Sequence, residues 1–146
     1  MTVASLLKQK GGDIVSVEPS HTVAEAAGIL REKRIGALLV CSGGTMRGII
    51  SERDIVAAIA AGRRGIADTP VSEIMTAKVE RCTTGESIAS IHRRMTEGRF
   101  RHMPVFDGDE LVGLVSITDI ARERVTEAER EAADVMSYVG NQVPGM

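Results

Sequence analysis

The sequence predicts a mixed α/β (α+β) fold of two β-α-β-β-α repeats related by a pseudo-twofold axis, followed by an extended C-terminal helix. A short motif, a glycine followed by two apolar residues and Ser-x-x-Asp, occurs at 48–54 and again at 113–119. The flanking apolar pattern repeats at the same offset, and a long helical pattern follows the second copy. Because repeated units usually cannot bury their hydrophobic faces alone, we expect the two copies to cover each other.

Turn signals and apolar periodicity define the elements of the first repeat. Thr22 and Glu25 form a capping box ahead of a helix, and Gly11-Gly12 ends a short helix near the N-terminus. The apolar run at 35–40 is typical of a strand buried on both faces. The predicted elements are a helix over 2–9, a strand over 14–17, a helix from Val23, a hairpin of strands over 35–40 and 46–50, and a helix from Ser51 to Gly62.

The chain divides into two repeats, a linker and a helical extension. We place repeat 1 at 8–62, the linker at 63–73, repeat 2 at 74–125 and the C-terminal helix extension at 126–140. The second hairpin turns at an Asp-Gly-Asp sequence, which is a strong turn signal. Six apolar residues then recur at heptad-like spacing, which suits packing on the same domain or between subunits. They are Ala121, Val125, Ala128, Ala132, Val135 and Val139.

Composition narrows the classes of function. The chain of 146 residues is 43% apolar but only 2% aromatic, so its core must be aliphatic. A net charge of −2 argues against a general nucleic-acid binder, and no apolar run approaches the ~20 residues of a membrane span. The N-terminus lacks the order of a signal peptide, and Cys41 and Cys82 lack metal-ligand spacing. We therefore expect a cytoplasmic protein with no metal site, no membrane contact and no nucleic-acid partner.

The Ser-x-x-Asp motif has two interpretations. In the structural one, Ser51 and Ser116 cap a helix, and Asp54 and Asp119 accept hydrogen bonds at its start. In the functional one, the aspartate accepts hydrogen bonds from ribose hydroxyls while the helix terminus favours phosphate. No phosphate loop, zinc-protease motif or nucleophile with a base is recognisable, so we predict no catalytic residues.

The repeat and its motifs resemble a tandem pair of cystathionine-β-synthase (CBS) domains, also called a Bateman module. The resemblance spans about residues 3–125. It rests on the doubled motif, on Ile74-Met75-Thr76 ahead of the second repeat, and on Arg-His-Met-Pro-Val-Phe-Asp at 101–107. It implies a regulatory sensor whose ligand is an adenine nucleotide such as AMP, ATP or NAD(H). It also implies a homodimer and an unidentified protein target.

The resemblance further implies two clefts between the repeats, with Asp54 and Asp119 holding ribose hydroxyls in separate clefts. Because Arg101-His102 corresponds to Gly36-Ala37 in the first repeat, we expect the Asp54 cleft to be the better phosphate site. The implied nucleotide-binding residues are Ile50, Ser51, Arg53, Asp54, Thr76, Lys78, Val79, Arg101 and His102 around the first cleft, and Ile14, Val15, Gly36, Ala37, Ser116, Thr118 and Asp119 around the second.

Two other functions stay open at this point. An enzyme could use Asp54 and Asp119 as paired acids, although their placement in separate repeats argues against one shared catalytic centre. An adaptor or structural dimer without a physiological ligand is the second alternative, and the long C-terminal helix favours it.

Overall fold

The structure, a computed structural model, describes residues 1–11 and 13–142, with side chains through Tyr138. The first half consists of α1 (Val3–Lys10), β1 (Ser16–Val17), α2 (Val23–Lys33), β2 (Ala37–Ser42), β3 (Thr45–Ser51) and α3 (Glu52–Ala60). Two 3-10 turns, at Ile66–Asp68 and Val71–Glu73, lead to the second half. That half consists of β4 (Cys82–Thr83), α4 (Ile88–Gly98), β5 (His102–Asp107), β6 (Glu110–Ser116) and α5 (Ile117–Gln142).

The two repeats form two three-stranded sheets with the same strand order, β1-β2-β3 and β4-β5-β6. In each sheet the first strand pairs parallel to the second, and the hairpin strands pair antiparallel. Val17 pairs with Val40 in the first sheet, and Cys82 pairs with Val105 in the second. The two pairs are related by the sequence offset of the repeat. The register shift that follows Val40 also recurs after Val105. The predicted fold class is confirmed.

The ends of several elements differ from the prediction because of the way the helices close. Helix α2 ends at Lys33, and the C-cap residue Arg34 takes the left-handed conformation with a φ of 54° before β2. Arg99 does the same after α4 with a φ of 57°. Strand β2 therefore begins at Ala37 rather than at residue 35, and β1 has two residues rather than the predicted four. Gly12, part of the predicted helix stop, lies outside the described residues.

Each repeat completes its core with a segment that precedes the other repeat. Helix α1 packs on the second repeat, where Val3 is fully buried and its N–H donates to the Glu86 carbonyl at 2.9 Å. In the first repeat the second 3-10 turn fills the comparable place. There Val71 is fully buried and its N–H donates to the His21 carbonyl at 2.8 Å. Helix α1 therefore packs on repeat 2 and this turn packs on repeat 1.

A third apolar cluster joins the two repeats. Side chains alternate between the two faces of a strand, so Leu38 and Val40 enter the core of the first repeat while Ala37 and Leu39 face the other way. On that side they form a cluster with Leu114 of the second repeat. The predicted burial of this strand on both faces is confirmed, and the interface it creates positions the site.

The face of α5 that packs on its own domain is not the face that carries the apolar stripe. Ile120 is fully buried against the second repeat, whereas Val125 and Val135 of the stripe are 58% and 60% exposed. The side chain of Val139, the last residue of the predicted stripe, lies outside the described side chains. Neither α5 nor any other helix in the described part of the chain combines the length and apolarity needed to cross a membrane.

Candidate functional site

A cavity of about 790 Å³ lies where the two repeats meet, and both aspartates of the repeated motif line it. Ile49, Val79 and Leu114 contribute apolar surface, and seven basic and five acidic side chains surround them. The sequence predicts two separate clefts. Residues assigned to each of these clefts line the same cavity in the structure.

Asp54 lies in a capping box at the start of α3. The Ser51 N–H donates to Asp54 Oδ2 at 2.8 Å, and the Asp54 N–H donates to Ser51 Oγ at 3.3 Å. The hydroxyl of Thr76 donates to the other carboxylate oxygen, Oδ1, at 3.1 Å. The structural interpretation of this motif is confirmed, and the cap holds the carboxylate in the cavity wall.

Asp119 repeats the cap but has a different third partner. The Ser116 N–H donates to Asp119 Oδ2 at 3.0 Å, and the Asp119 N–H donates to Ser116 Oγ at 3.1 Å. In place of a hydroxyl, the ammonium nitrogen of Lys10 lies 2.6 Å from Oδ2. Burial on its own would raise the pKa of Asp119, but the hydrogen bonds from Lys10 and Ser116 outweigh it and lower that pKa below its ordinary value.

The glycine that opens the first motif allows a neighbouring segment to approach. A Cβ atom at Gly48 would lie 2.6 Å from the Thr76 carbonyl oxygen. That oxygen accepts a hydrogen bond from the Ile49 N–H at 3.0 Å, and the Thr76 N–H donates to the Ile49 carbonyl at 2.9 Å. This pair of backbone bonds holds the Thr76 hydroxyl against Asp54.

His102 occupies space that the missing side chain of Gly36 leaves free. A Cβ atom at Gly36 would lie 3.2 Å from His102 Nε2. Burial lowers the pKa of His102, the negative charge of Asp119 opposes that shift, and nearby cations including Arg53 reinforce it. Because Gly36 comes from the first repeat and His102 from the second, this contact crosses the interface between the repeats.

The structure brings 14 of the 16 predicted binding residues to the cavity lining, and Ile14 and Ile50 are the two exceptions. Ile50 is fully buried in the core of the first repeat. Strand alternation directs Ile49 and Ser51 to the cavity and Ile50 to the opposite face. Ile14 lies outside the cavity and is 37% exposed.

The most consequential cavity residue that the sequence does not predict is Lys10. Its contact with Asp119 joins positions 109 residues apart, which no local pattern reveals. One signal is present in the sequence, because the repeat offset pairs Thr76 with Gly11, and glycine supplies no hydroxyl to the second aspartate. The other unpredicted lining residues are Asp13, Arg34, Ile35, Ile49, Glu52, Glu80, Gly98, Phe100, Leu114, Ile117 and Arg122.

Together, the paired repeats and the cavity between them define a tandem α/β module with a site of the size that small molecules occupy. The sequence pattern of the CBS domain matches this chain twice, over residues 7–61 and 71–126. The chain therefore belongs to the CBS-domain family and is a CBS domain pair, a regulatory module.

Individual relatives agree in sequence and in structure. The CBS domain-containing protein YhcV of Bacillus subtilis (strain 168) is 31% identical over 130 residues, which cover 88% of this chain and 90% of that protein. The crystal structure of the CBS-domain containing protein ATU1752 from Agrobacterium tumefaciens is 39% identical, with a TM-score of 0.82 over 85% of this chain and 99% of that one. The CBS domain pair of protein MJ0100, in complex with 5′-methylthioadenosine and S-adenosyl-L-methionine, is 26% identical, with a TM-score of 0.76 over 87% of this chain and 98% of that one.

Proposed function

We propose that the cavity binds an adenine nucleotide of the AMP, ATP or NAD(H) type and that its occupancy regulates a protein target in the cytoplasm. The observation that carries this proposal is Asp54, a carboxylate fixed by its own helix cap in the wall of a nucleotide-sized cavity. The MJ0100 domain pair binds compounds that contain the same base and sugar, and this supports the proposal.

The cavity around Asp54 suits the base and the sugar of such a ligand. Ile49, Val79 and Leu114 offer apolar surface to the faces of a purine. A carboxylate accepts hydrogen bonds only, so Asp54 matches the two hydroxyl donors of a ribose. The Ser51 hydroxyl can donate or accept, and it lines the cavity beside that carboxylate.

The basic side chains suit the phosphates. Arg53, Lys78 and Arg101 all line the cavity, and charge-assisted hydrogen bonds to phosphate are about twice as strong as neutral ones. His102 adds an imidazole, which burial keeps neutral to a lower pH than usual by lowering its pKa. We assign these groups to binding of an anionic ligand rather than to catalysis.

Isothermal titration calorimetry with AMP, ATP, NAD+, NADH and S-adenosyl-L-methionine tests this proposal. We expect at least one of them to bind, and Asp54→Ala to weaken that binding by at least about 10-fold. A hydrogen bond to a charged group contributes about 1.5–3 kcal/mol, and 1.4 kcal/mol is a factor of ten in affinity. Asp134→Ala is the matched control, because Asp134 is exposed on α5 away from the cavity.

Two results would overturn the proposed function. The first is a folded wild-type protein that binds none of these compounds at millimolar concentration. The second is steady hydrolysis of the bound nucleotide that Asp54→Ala abolishes, because that outcome would make the chain an enzyme. Recovery of the ligand unchanged after prolonged incubation is the expected result.

We also propose that α5 joins two copies of this chain into a homodimer. The exposed apolar stripe repeats with the heptad spacing of helices that pair. Arg122 and Arg124 flank the stripe in its first half, and Glu129 and Glu131 flank it further along. An antiparallel second copy places each arginine pair beside the glutamate pair of its partner. Parallel pairing in register matches only Arg124 with Glu129, so we assign the antiparallel arrangement.

Light scattering coupled to size-exclusion chromatography tests this assembly. We expect the wild-type chain to be a dimer and Val135→Glu to shift it towards monomer, because a charge would enter the apolar stripe. Ser137→Glu is the matched control, since Ser137 is exposed on the same helix but outside the stripe. A wild-type monomer at high concentration, or a Val135→Glu dimer as stable as wild type, would contradict the assembly.

An adaptor role without a physiological ligand is the second candidate function, and the exposed stripe on α5 favours it. The two candidates differ in what mutation of the cavity does. A sensor loses nucleotide-dependent control of its target in Asp54→Ala, whereas an adaptor captures the same partner in that variant as in the wild type. Only the first result agrees with the proposed function.

A further inference from the structure

The two aspartates of the cavity have different third partners. In each case that partner lies just ahead of the other repeat in the sequence. Asp54 accepts a hydrogen bond from the neutral hydroxyl of Thr76 at 3.1 Å. The position that corresponds to Thr76 ahead of the first repeat is Gly11, which has no side chain. The residue before it, Lys10, reaches Asp119 instead and places its ammonium nitrogen 2.6 Å from Oδ2.

Lys10 is held in this place by the helix that carries it. It is the last residue of α1, and Val3 and Leu6 of that helix are buried in the core of the second repeat. The Gly11 N–H closes the helix by donating to the Leu7 carbonyl at 3.0 Å. A lysine at the free end of a loop would lose more conformational entropy on pairing, whereas this one is delivered by a packed element.

The ion pair is partly sheltered from water inside the cavity. The side chain of Asp119 is 16% exposed and that of Lys10 is 32% exposed, and both line the cavity. Asp119 Oδ2 therefore receives two donors, the Ser116 N–H and the ammonium group. A ribose that used this oxygen would have to displace the Lys10 ammonium group, whereas at Asp54 the corresponding donor is the neutral hydroxyl of Thr76.

We propose that Lys10 is an intrinsic occupant of the second aspartate and thereby sets the stoichiometry of the module at one nucleotide per chain. The ligand places its ribose at Asp54, and Asp119 stays paired with Lys10. This inference rests on the proposed nucleotide-binding function and adds to it the residue that makes one half of the cavity unavailable. The chemical class excluded from that half is any nucleoside that must bind its ribose through a carboxylate.

Calorimetry and native mass spectrometry of the full chain with AMP and with ATP test the inference. We expect one ligand per wild-type chain and two per chain for Lys10→Met, which keeps the length of the side chain and removes its charge. Lys8→Met is the matched control and should still bind one, because Lys8 is exposed on the same helix and does not line the cavity. The double variant K10M/D119A should return to one ligand.

The outcomes separate this inference from the proposed function. Two AMP or two ATP molecules per wild-type chain would overturn the role of Lys10, and so would a folded Lys10→Met protein that still binds one. Lys10→Gln serves as a second variant if Lys10→Met does not fold. If the wild-type chain binds one nucleotide through Asp54, the proposed function stands whatever the Lys10 variants do. If the wild-type chain binds none, both proposals fall.

Discussion

The two halves of the cavity begin from almost the same motif and end with different chemistry. Around Asp54, the cap is completed by the neutral hydroxyl of Thr76, whose backbone N–H and carbonyl are both hydrogen-bonded to Ile49. Around Asp119, it is completed by the positive charge of Lys10. Both carboxylates are held by the serine three residues before them, so the local helix start is equivalent. The difference arises entirely from the segments that cross over from elsewhere in the chain.

A repeated motif thus fixes the geometry of a helix start but not the chemistry of the site that contains it. The capping bonds join residues three apart and therefore repeat faithfully. The third partner of each aspartate is set by tertiary packing. Duplicated modules can therefore keep two identical frames and give only one of them a ligand.

The largest expected difference between the two halves is in the stability lost when each motif glycine is replaced by alanine. A Cβ atom at Gly48 would lie 2.6 Å from a backbone oxygen, which cannot move without breaking the bridge to Ile49, whereas one at Gly113 would meet only the flexible end of Leu7. We expect Gly48→Ala to lower the free energy of unfolding by about 2–3 kcal/mol and Gly113→Ala by about 1 kcal/mol or less. Urea denaturation measures both, and equal losses would contradict the asymmetry.

A smaller effect concerns the third partners themselves. We expect Thr76→Val to cost about 1 kcal/mol, because it removes one hydrogen bond to Asp54. Lys10→Met should cost about 0.5 kcal/mol, since a partly exposed ion pair contributes little net stability. Urea denaturation measures both losses, and Thr76→Ser, which keeps the hydroxyl, is the control for the first change. A greater loss in Lys10→Met than in Thr76→Val would reverse the expected order.

The smallest effect is the pH dependence that His102 confers. Burial lowers the pKa of His102 in the folded chain below its ordinary value of 6.5. Between these two pKa values the unfolded chain binds more protons, so the stability contributed by the neutral imidazole is present above about pH 6.5 and declines as the pH falls. Urea denaturation between pH 7.5 and 5, which spans the ordinary histidine pKa of about 6.5, measures this dependence. The free energy of unfolding should vary less steeply with pH in His102→Gln than in the wild-type chain. An unchanged slope would show that His102 does not carry this dependence.

Much of the fold could be predicted from the sequence because its determinants are local. The Ser-x-x-Asp caps, the Asp-Gly-Asp turn and the uninterrupted apolar strand each act within a few residues. Their duplication at one offset then predicts two equivalent sheets. Both sheets are present, with matching registers.

What could not be predicted depends on contacts distant in sequence. The pairing of Lys10 with Asp119 and the burial of Val71 in the first repeat both follow from the crossing of leading segments, which has no local signature. Strand alternation would have removed Ile50 from the predicted site, because its neighbour Ser51 already faces the cavity. The asymmetry of Gly36 and His102 is visible in the sequence, but their direct packing against each other is not.

The exchange of leading segments has a consequence for how this chain folds and how it can be divided. Residues 1–62 alone would leave the first hydrophobic core without Val71, and residues 63–146 alone would leave the second without Val3 and Leu6. We therefore expect neither half to fold on its own, although each carries a complete repeat. Because each repeat needs a segment from outside itself to complete its core, denaturation should proceed as one cooperative transition in which both repeats unfold together.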